Sequence, residues 1–148
     1  ALRLLVRHPP DAAERELLQA AAEGRPVDGL ELKPVLSGAE EVLKLRRASR
    51  LVHTAEETVD YLHRLAIATR ASTHIEVGPS TRATLALLEV ARASALIEQR
   101  DFLIPDDVKR FVEPAWSHRI RLTAEAEIEG LTPALALQRV TDGVKVPH

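Results

Sequence analysis

The sequence has no cysteine and no methionine, and only one Trp, one Tyr and two Phe among 148 residues. Without cysteine, disulfides, thiolate chemistry and the usual zinc-finger ligand sets are excluded, and a reducing compartment such as the cytoplasm is compatible. With so few aromatic residues, the core must be built from Leu, Val, Ile and Ala. Leu and Ala are strong helix formers, so an all-α fold is expected. No apolar run approaches the roughly 18 residues of a membrane span, and no signal-peptide core opens the chain. Positive charge is not in excess either. The net charge of −2 is the opposite of what a dedicated nucleic-acid binder carries. The chain begins with Ala and holds no Met, so it is expected to be processed or cut from a longer protein.

Catalytic signatures are missing as well. There is no phosphate loop of the Gly-Lys-Ser/Thr type and no acidic strand end to hold magnesium. The six histidines are dispersed, and His53 and His63 fall in different segments, so they read as structural or surface residues. Nothing orders Ser117-His118 into a triad. Taken alone, the chain is expected to catalyse nothing.

What is present is a series of helix signals. Hydrophobic residues make up 45% and charged residues 28%, which suits one soluble domain with its own core. Leu2, Leu4 and Val6 alternate with Arg3 and Leu5, as a short strand would, and its partner sheet is expected elsewhere. Three capping-box patterns follow, at Asp11/Glu14, Ser37/Glu40 and Thr54/Glu57. They predict helices to about Glu23, Arg50 and Ala71. The first should bury Leu17, Leu18 and Ala21, and the third Thr58, Tyr61, Leu62, Leu65, Ala66 and Thr69. Glu40/Lys44 and Asp60/Arg64 are spaced to pair along their helices. Residues 24–36 read as an extended linker. The basic run Lys44, Arg46, Arg47 and Arg50 is a solvated face or a docking surface for an acidic partner or phosphate.

The segment Gly78-Pro79-Ser80-Thr81-Arg82-Ala83 opens the most apolar helix, which is expected to be buried on most faces and to run to Ile97. Ser80 or Thr81 can cap it. Helix starts favour negative groups, so a cation such as Arg82 costs about 0.3–1 kcal/mol there. That placement makes sense if an anion, usually phosphate, is expected nearby. After a turn at Gln99-Arg100-Asp101, Phe102-Leu103-Ile104 is a short extended piece. Pro105 with Asp106 and Asp107 starts a helix that turns Val108, Phe111 and Val112 inward. Pro114 kinks or ends it, with Trp116 packed beside. A polar segment follows, then a last helix from Thr132-Pro133 to Asp142, closed by Gly143, and a loose tail, Val144 to His148.

In their order, these segments resemble the C-terminal lid of the MoxR-type AAA+ ATPases. Gly78 to Ala83 is similar to that family's Gly-x-Ser-x-Arg-Ala sensor-2 signature. Arg100 to Val108 resembles its Arg-Asp-Tyr-Val-Thr-Pro-Glu-Asp-Val segment, and His118-Arg119-Ile120 its His-Arg-hydrophobic ending. Pro34 to Ser37, Val59 to Leu62 and Val144 to Pro147 fit as well. In two places the chain departs: Gln99 stands where Gly is common, so the turn there is expected to differ. Ile104 replaces a Thr cap, leaving Asp107 to serve that helix start alone.

The resemblance implies a helical bundle of about five to six helices with a short extended N-terminal segment. Residues 1–35 would be the end of the AAA+ core (terminal strand, helix and linker), and residues 36–148 the lid with its C-terminal extension. It implies ATP and Mg bound mainly by that core, with Arg82 sensing the γ-phosphate and Ser80 and Thr81 at the helix start beside it. It also implies an ATP-hydrolysing, chaperone-like remodeller in the cytoplasm, ringed with neighbouring subunits, often as a hexamer. A von Willebrand A-domain protein is the partner it suggests, with no nucleic acid and no membrane span. The competing expectations are the lid of a magnesium-chelatase-type subunit and a non-enzymatic helical adaptor.

Overall fold

The computed structural model describes residues 2–25 and 34–147. Among them are seven helices: α1 (Asp11–Ala22), α2 (Ala39–Arg50), α3 (Glu56–Ala71), α4 (Thr81–Ile97), α5 (Pro105–Trp116), α6 (Ala124–Ile128) and α7 (Pro133–Gly143). Two short strands, β1 (Ile75–Val77) and β2 (Arg121–Leu122), pair antiparallel. The fold is all-α, as expected, with one helix more than the upper count. The extra helix is α6, which lies with β2 in the stretch read as a polar segment. No membrane-spanning helix is present among the described residues.

The main core lies where α3, α4, α5 and α7 meet. The expected stripe of α3 is the buried one, Thr58, Tyr61, Leu62, Leu65, Ala66 and Thr69. Against it pack Leu87, Ala91 and Ala95 of α4, Val108, Val112 and Trp116 of α5, and Leu137 of α7. Each fully buried Leu contributes about 1.5–3 kcal/mol through the surface it removes from water. The buried face of α4 is mostly alanine (Ala83, Ala91 and Ala95), and such small side chains let the α5 backbone approach closely. A second cluster, Ile75, Leu122, Ala126, Leu131 and Ala136, sits under the β1–β2 pair.

α4 is less enclosed than expected. Leu85 and Ile97 are exposed, so only one broad face of this helix is covered. α2 packs on α4 without burying any residue. α1 buries none either, and Leu17, Leu18 and Ala21 are exposed, against expectation. The apolar side of α1 finds no cover among the described residues. Residues 2–10 form no strand, because none of the described residues offers them a partner strand. Most of the expected linker, residues 26–33, lies outside the described residues, as do Ala1 and His148.

Three helix starts differ from the capping-box reading. Pro10 occupies the cap of α1, so Asp11 is already helical and cannot cap. At α2 the cap is Gly38, and the Ser37 amide donates instead to Glu41 Oε2 at 2.7 Å. At α3 the cap is Ala55, while Thr54 Oγ1 accepts from Arg92 Nε at 3.0 Å. Helix spans were therefore legible, but a capping side chain can be claimed by a tertiary partner. Lys44 pairs with Glu40 at 3.3 Å, whereas Asp60 and Arg64 do not close to an ion pair.

α5 starts at Pro105 and runs through Pro114 to Trp116, so Pro114 does not end it. Phe102 is extended and bridges to His53, with the Leu103 amide donating to the His53 carbonyl at 2.8 Å. α7 starts at Thr132, whose hydroxyl accepts from the Leu135 amide at 3.3 Å. The tail beyond α7 is not loose throughout, since Val144 and Val146 pack against the main core.

Candidate functional site

The start of α4 is built residue by residue, and Gly78, Pro79, Ser80 and Ala83 each have a separate physical task. Gly78 approaches the last turn of α3 so closely that a Cβ would lie 2.7 Å from Arg70 Cγ and 3.0 Å from Arg70 Cα. Only glycine fits there without a shift. Pro79 is fully buried, and its carbonyl accepts from Arg70 Nε at 2.9 Å. Ser80 is the N-cap, its Oγ accepting from the Ala83 amide at 3.2 Å. Of the two candidate caps, Ser80 is therefore the one used, and Thr81 is the first helical residue. Ala83 is buried, and its carbonyl accepts from Trp116 Nε1 at 3.2 Å.

Arg82 is the charged member of this run, and the fold does not consume it. Its side chain is exposed and makes no ion pair or hydrogen bond with the described residues. The surroundings sharpen this. Carboxylates stand in the first turn of α1 (Asp11, Glu14), α2 (Glu40, Glu41), α3 (Glu56, Glu57), α5 (Asp106, Asp107) and α6 (Glu125, Glu127). The first turn of α4 has none. α7 lacks them too, but carries no cation there. The N-terminus of α4 thus joins a guanidinium to unpaired backbone N–H groups with no internal counter-charge. An anion with several acceptor oxygens satisfies both, so phosphate fits the residues present.

The second motif is closed on itself. Arg100 forks onto Asp107, with NH1 to Oδ2 at 2.7 Å and NH2 to Oδ1 at 2.6 Å. Asp107 also accepts from the Ile104 amide at 3.0 Å, replacing the missing side-chain cap as expected. Burial pushes the Asp107 carboxyl up, but the Arg100 guanidinium and the Ile104 amide outweigh it and hold it below the usual carboxylate range. Glu98 bridges Arg100 and Arg110 at 2.8 and 2.7 Å, and both hydrogen bonds lower its carboxyl. At Gln99 the turn is not different in kind. Its φ of 59° is the left-handed conformation that glycine adopts at such a position.

The basic run of α2 divides. Lys44 is taken by Glu40, while Arg46 and Arg50 line an open groove of about 390 Å³ floored by Ala86, Val90 and Ala93 of α4. Arg47 lies off that groove. No group of three or more His, Asp or Glu gathers as a metal site among the described residues. The engagements of Arg70 and Trp116 at the α4 start escaped sequence reasoning. Each lies on another helix, with no spacing rule that links it to Arg82.

Comparison with known proteins agrees with this architecture. Residues 67–140, from within α3 into α7, match the AAA lid domain family. The chain is 29% identical over 145 residues to the uncharacterised protein YeaC of Bacillus subtilis, covering 98% of this chain and 44% of that one. It is 30% identical over 157 residues to the chaperone MoxR1 of Mycobacterium tuberculosis, covering 99% of this chain and 40% of that one. A candidate ATPase from Cytophaga hutchinsonii shares the fold, with a TM-score of 0.81 at 24% identity over 99% of this chain and 46% of that one. The chain thus spans less than half the length of each of these relatives. With its helix arrangement and family match in agreement, the chain belongs to the AAA lid domain family.

Proposed function

We propose that this chain is the nucleotide-sensing lid of an ATP-hydrolysing, chaperone-like remodeller, in which Arg82 contacts the γ-phosphate. What supports the reading above all is Arg82 itself, exposed and unpaired among the described residues, in the one described helix start that joins a cation to an absence of carboxylates. ATP and Mg would be bound mainly by a core domain, to which residues 1–35 supply the last part and residues 36–148 the cover. The bound nucleotide supplies a γ-phosphate whose charge is present before hydrolysis and lost after it. Arg82 then holds the lid closed only in one state, because its planar fork can grip two phosphate oxygens at once. Ser80 contributes by satisfying the Ala83 amide, which leaves the amides of Thr81 and Arg82 turned toward an incoming anion.

In this reading the lid angle reports nucleotide state to the chain's own core and to neighbouring subunits of a ring, a hexamer in the cytoplasm. A von Willebrand A-domain protein is the partner class that the resemblance suggests. The test is Arg82→Ala in the full-length ATPase. A charge-assisted hydrogen bond contributes about 1.5–3 kcal/mol, so ATP turnover should fall by about 10- to 100-fold. Turnover within twofold of the unmodified enzyme would sink the sensor role.

A further inference from the structure

Arg82 lies between two backbone carbonyls, each held by a side chain from a different helix. On one side the Pro79 carbonyl accepts from Arg70 Nε of α3 at 2.9 Å. On the other the Ala83 carbonyl accepts from Trp116 Nε1 of α5 at 3.2 Å. Both donors belong to rigid planar groups with a fixed N–H direction. Neither donor is free to wander: Trp116 is fully buried, and the Arg70 stem lies against Gly78, where there is no room for a Cβ. The Ser80 cap bonds only within its own turn. It stabilises the helix start but cannot fix where that start points.

We infer that Arg70 and Trp116 are positioning residues for Arg82, clamping the first turn of α4 to α3 and α5 so that the three-helix body sets its direction. This rests on the proposed phosphate-sensing role of Arg82. A long side chain reports a lid angle only if its base is fixed. A misplacement of about 1 Å in a reacting site can cost about 100-fold. The clamp supplies that fixity with two hydrogen bonds to backbone, which no substitution within residues 79–83 other than a backbone change would remove.

The test is a double-mutant cycle in the full-length ATPase, reading the ratio of affinities for a non-hydrolysable ATP analogue and for ADP. Arg70→Met keeps the stem against Gly78 and loses the donor. Trp116→Phe keeps an aromatic core residue, loses the donor and changes no charge. Arg82→Ala should lower the preference for the ATP analogue by about 10- to 100-fold. Arg70→Met and Trp116→Phe should each lower it about 3- to 10-fold, with ADP affinity kept within about twofold. Combined with Arg82→Ala, neither should lower it further. A general loss of packing would weaken both nucleotides together, and that result overturns the clamp. It is also overturned if both variants keep the full preference while Arg82→Ala loses it, or if their effects add to that of Arg82→Ala. If Arg82→Ala itself keeps the preference, the sensor reading falls and the clamp with it.

Discussion

The two motifs that carry the family resemblance open adjacent helices, and they treat charge in opposite ways. At the start of α5, Asp106 and Asp107 meet the positive end of the helix, and Asp107 is further gripped by Arg100. Asp106 is exposed at that positive end, while the buried charge, Asp107, has its partner inside the fold. At the start of α4 the sign is reversed, and Arg82 is left with none. The α5 start is a joint that ties the α4–α5 turn to the next helix. The α4 start is fixed in place through Gly78, Ser80 and Ala83, while its first amides and its charge are left without partners among the described residues. Resemblance to a family marks both equally. Only the accounting of charges separates the one that holds the lid together from the one that faces outward.

Removing each charge should give opposite results in denaturant. Asp107 is 4% exposed, and its partner Arg100 is 21% exposed. Asp107→Ala leaves Arg100 with only Glu98 and the Phe102 carbonyl and strands the Ile104 amide, and should cost about 3 kcal/mol. Arg82→Ala should change stability by less than about 0.5 kcal/mol, or raise it slightly, because a cation is removed from a helix N-terminus. Urea unfolding of the two variants decides this, and a large loss for Arg82→Ala would erase the contrast. The same pair sets the acid response. The Asp107 carboxyl is depressed in the fold, so its contribution is complete above the unfolded value of about 3.9. It is lost as pH falls through the lower folded value. In Asp107→Asn that part of the acid unfolding should vanish.

Next in size is Gly78→Ala. The added Cβ meets Arg70 Cγ at 2.7 Å and Arg70 Cα at 3.0 Å. The end of α3 and the start of α4 must then separate, at a cost of about 1–3 kcal/mol. Because Arg70 would be pushed from the Pro79 carbonyl, the ATP-analogue preference proposed for Arg82 should fall with stability. Wild-type stability for Gly78→Ala would show that the motif glycine serves only the turn.

The fold was legible where one residue type repeats at helical spacing, as in the buried stripe Thr58 to Thr69 of α3. Proline and threonine signals placed α5 and α7 equally well. What escaped were features decided by partners distant in sequence. β2 is two residues long, too short for an alternating pattern, and exists because Ile75 lies opposite Leu122. Thr54 reads as a cap, yet Arg92, 38 residues on, claims its hydroxyl. Leu17 and Leu18 form an apolar stripe on α1, but none of the described residues lies against it. At the candidate site, Arg82 and Ser80 were visible because helix starts have rules. Arg70 and Trp116 were not, because a carbonyl can be reached from any helix that packs close enough.

A small gain in stability is expected at Gln99, where the turn between the two motifs is made. Its amide donates to the Leu96 carbonyl, and that of Arg100 to the Ala95 carbonyl, both at 2.9 Å. The same pair of bonds ends α1 at Gly24 and α6 at Gly130, where glycine takes the positive φ. Gln99 adopts it with a Cβ, which costs roughly 1–2 kcal/mol. Its exposed side chain makes no compensating hydrogen bond among the described residues. Gln99→Gly removes that penalty and adds back about 0.5–1 kcal/mol through the greater freedom of the unfolded chain. The net gain should be about 0.5 kcal/mol, a rise in Tm of about 1–2 °C for a chain of this length. Because Arg100 follows directly, a tighter turn should also leave the Arg100–Asp107 pair intact. Gln99→Gly combined with Asp107→Ala should therefore show the two effects adding. A loss of stability in Gln99→Gly alone would mean that the glutamine side chain contributes something its exposure does not reveal.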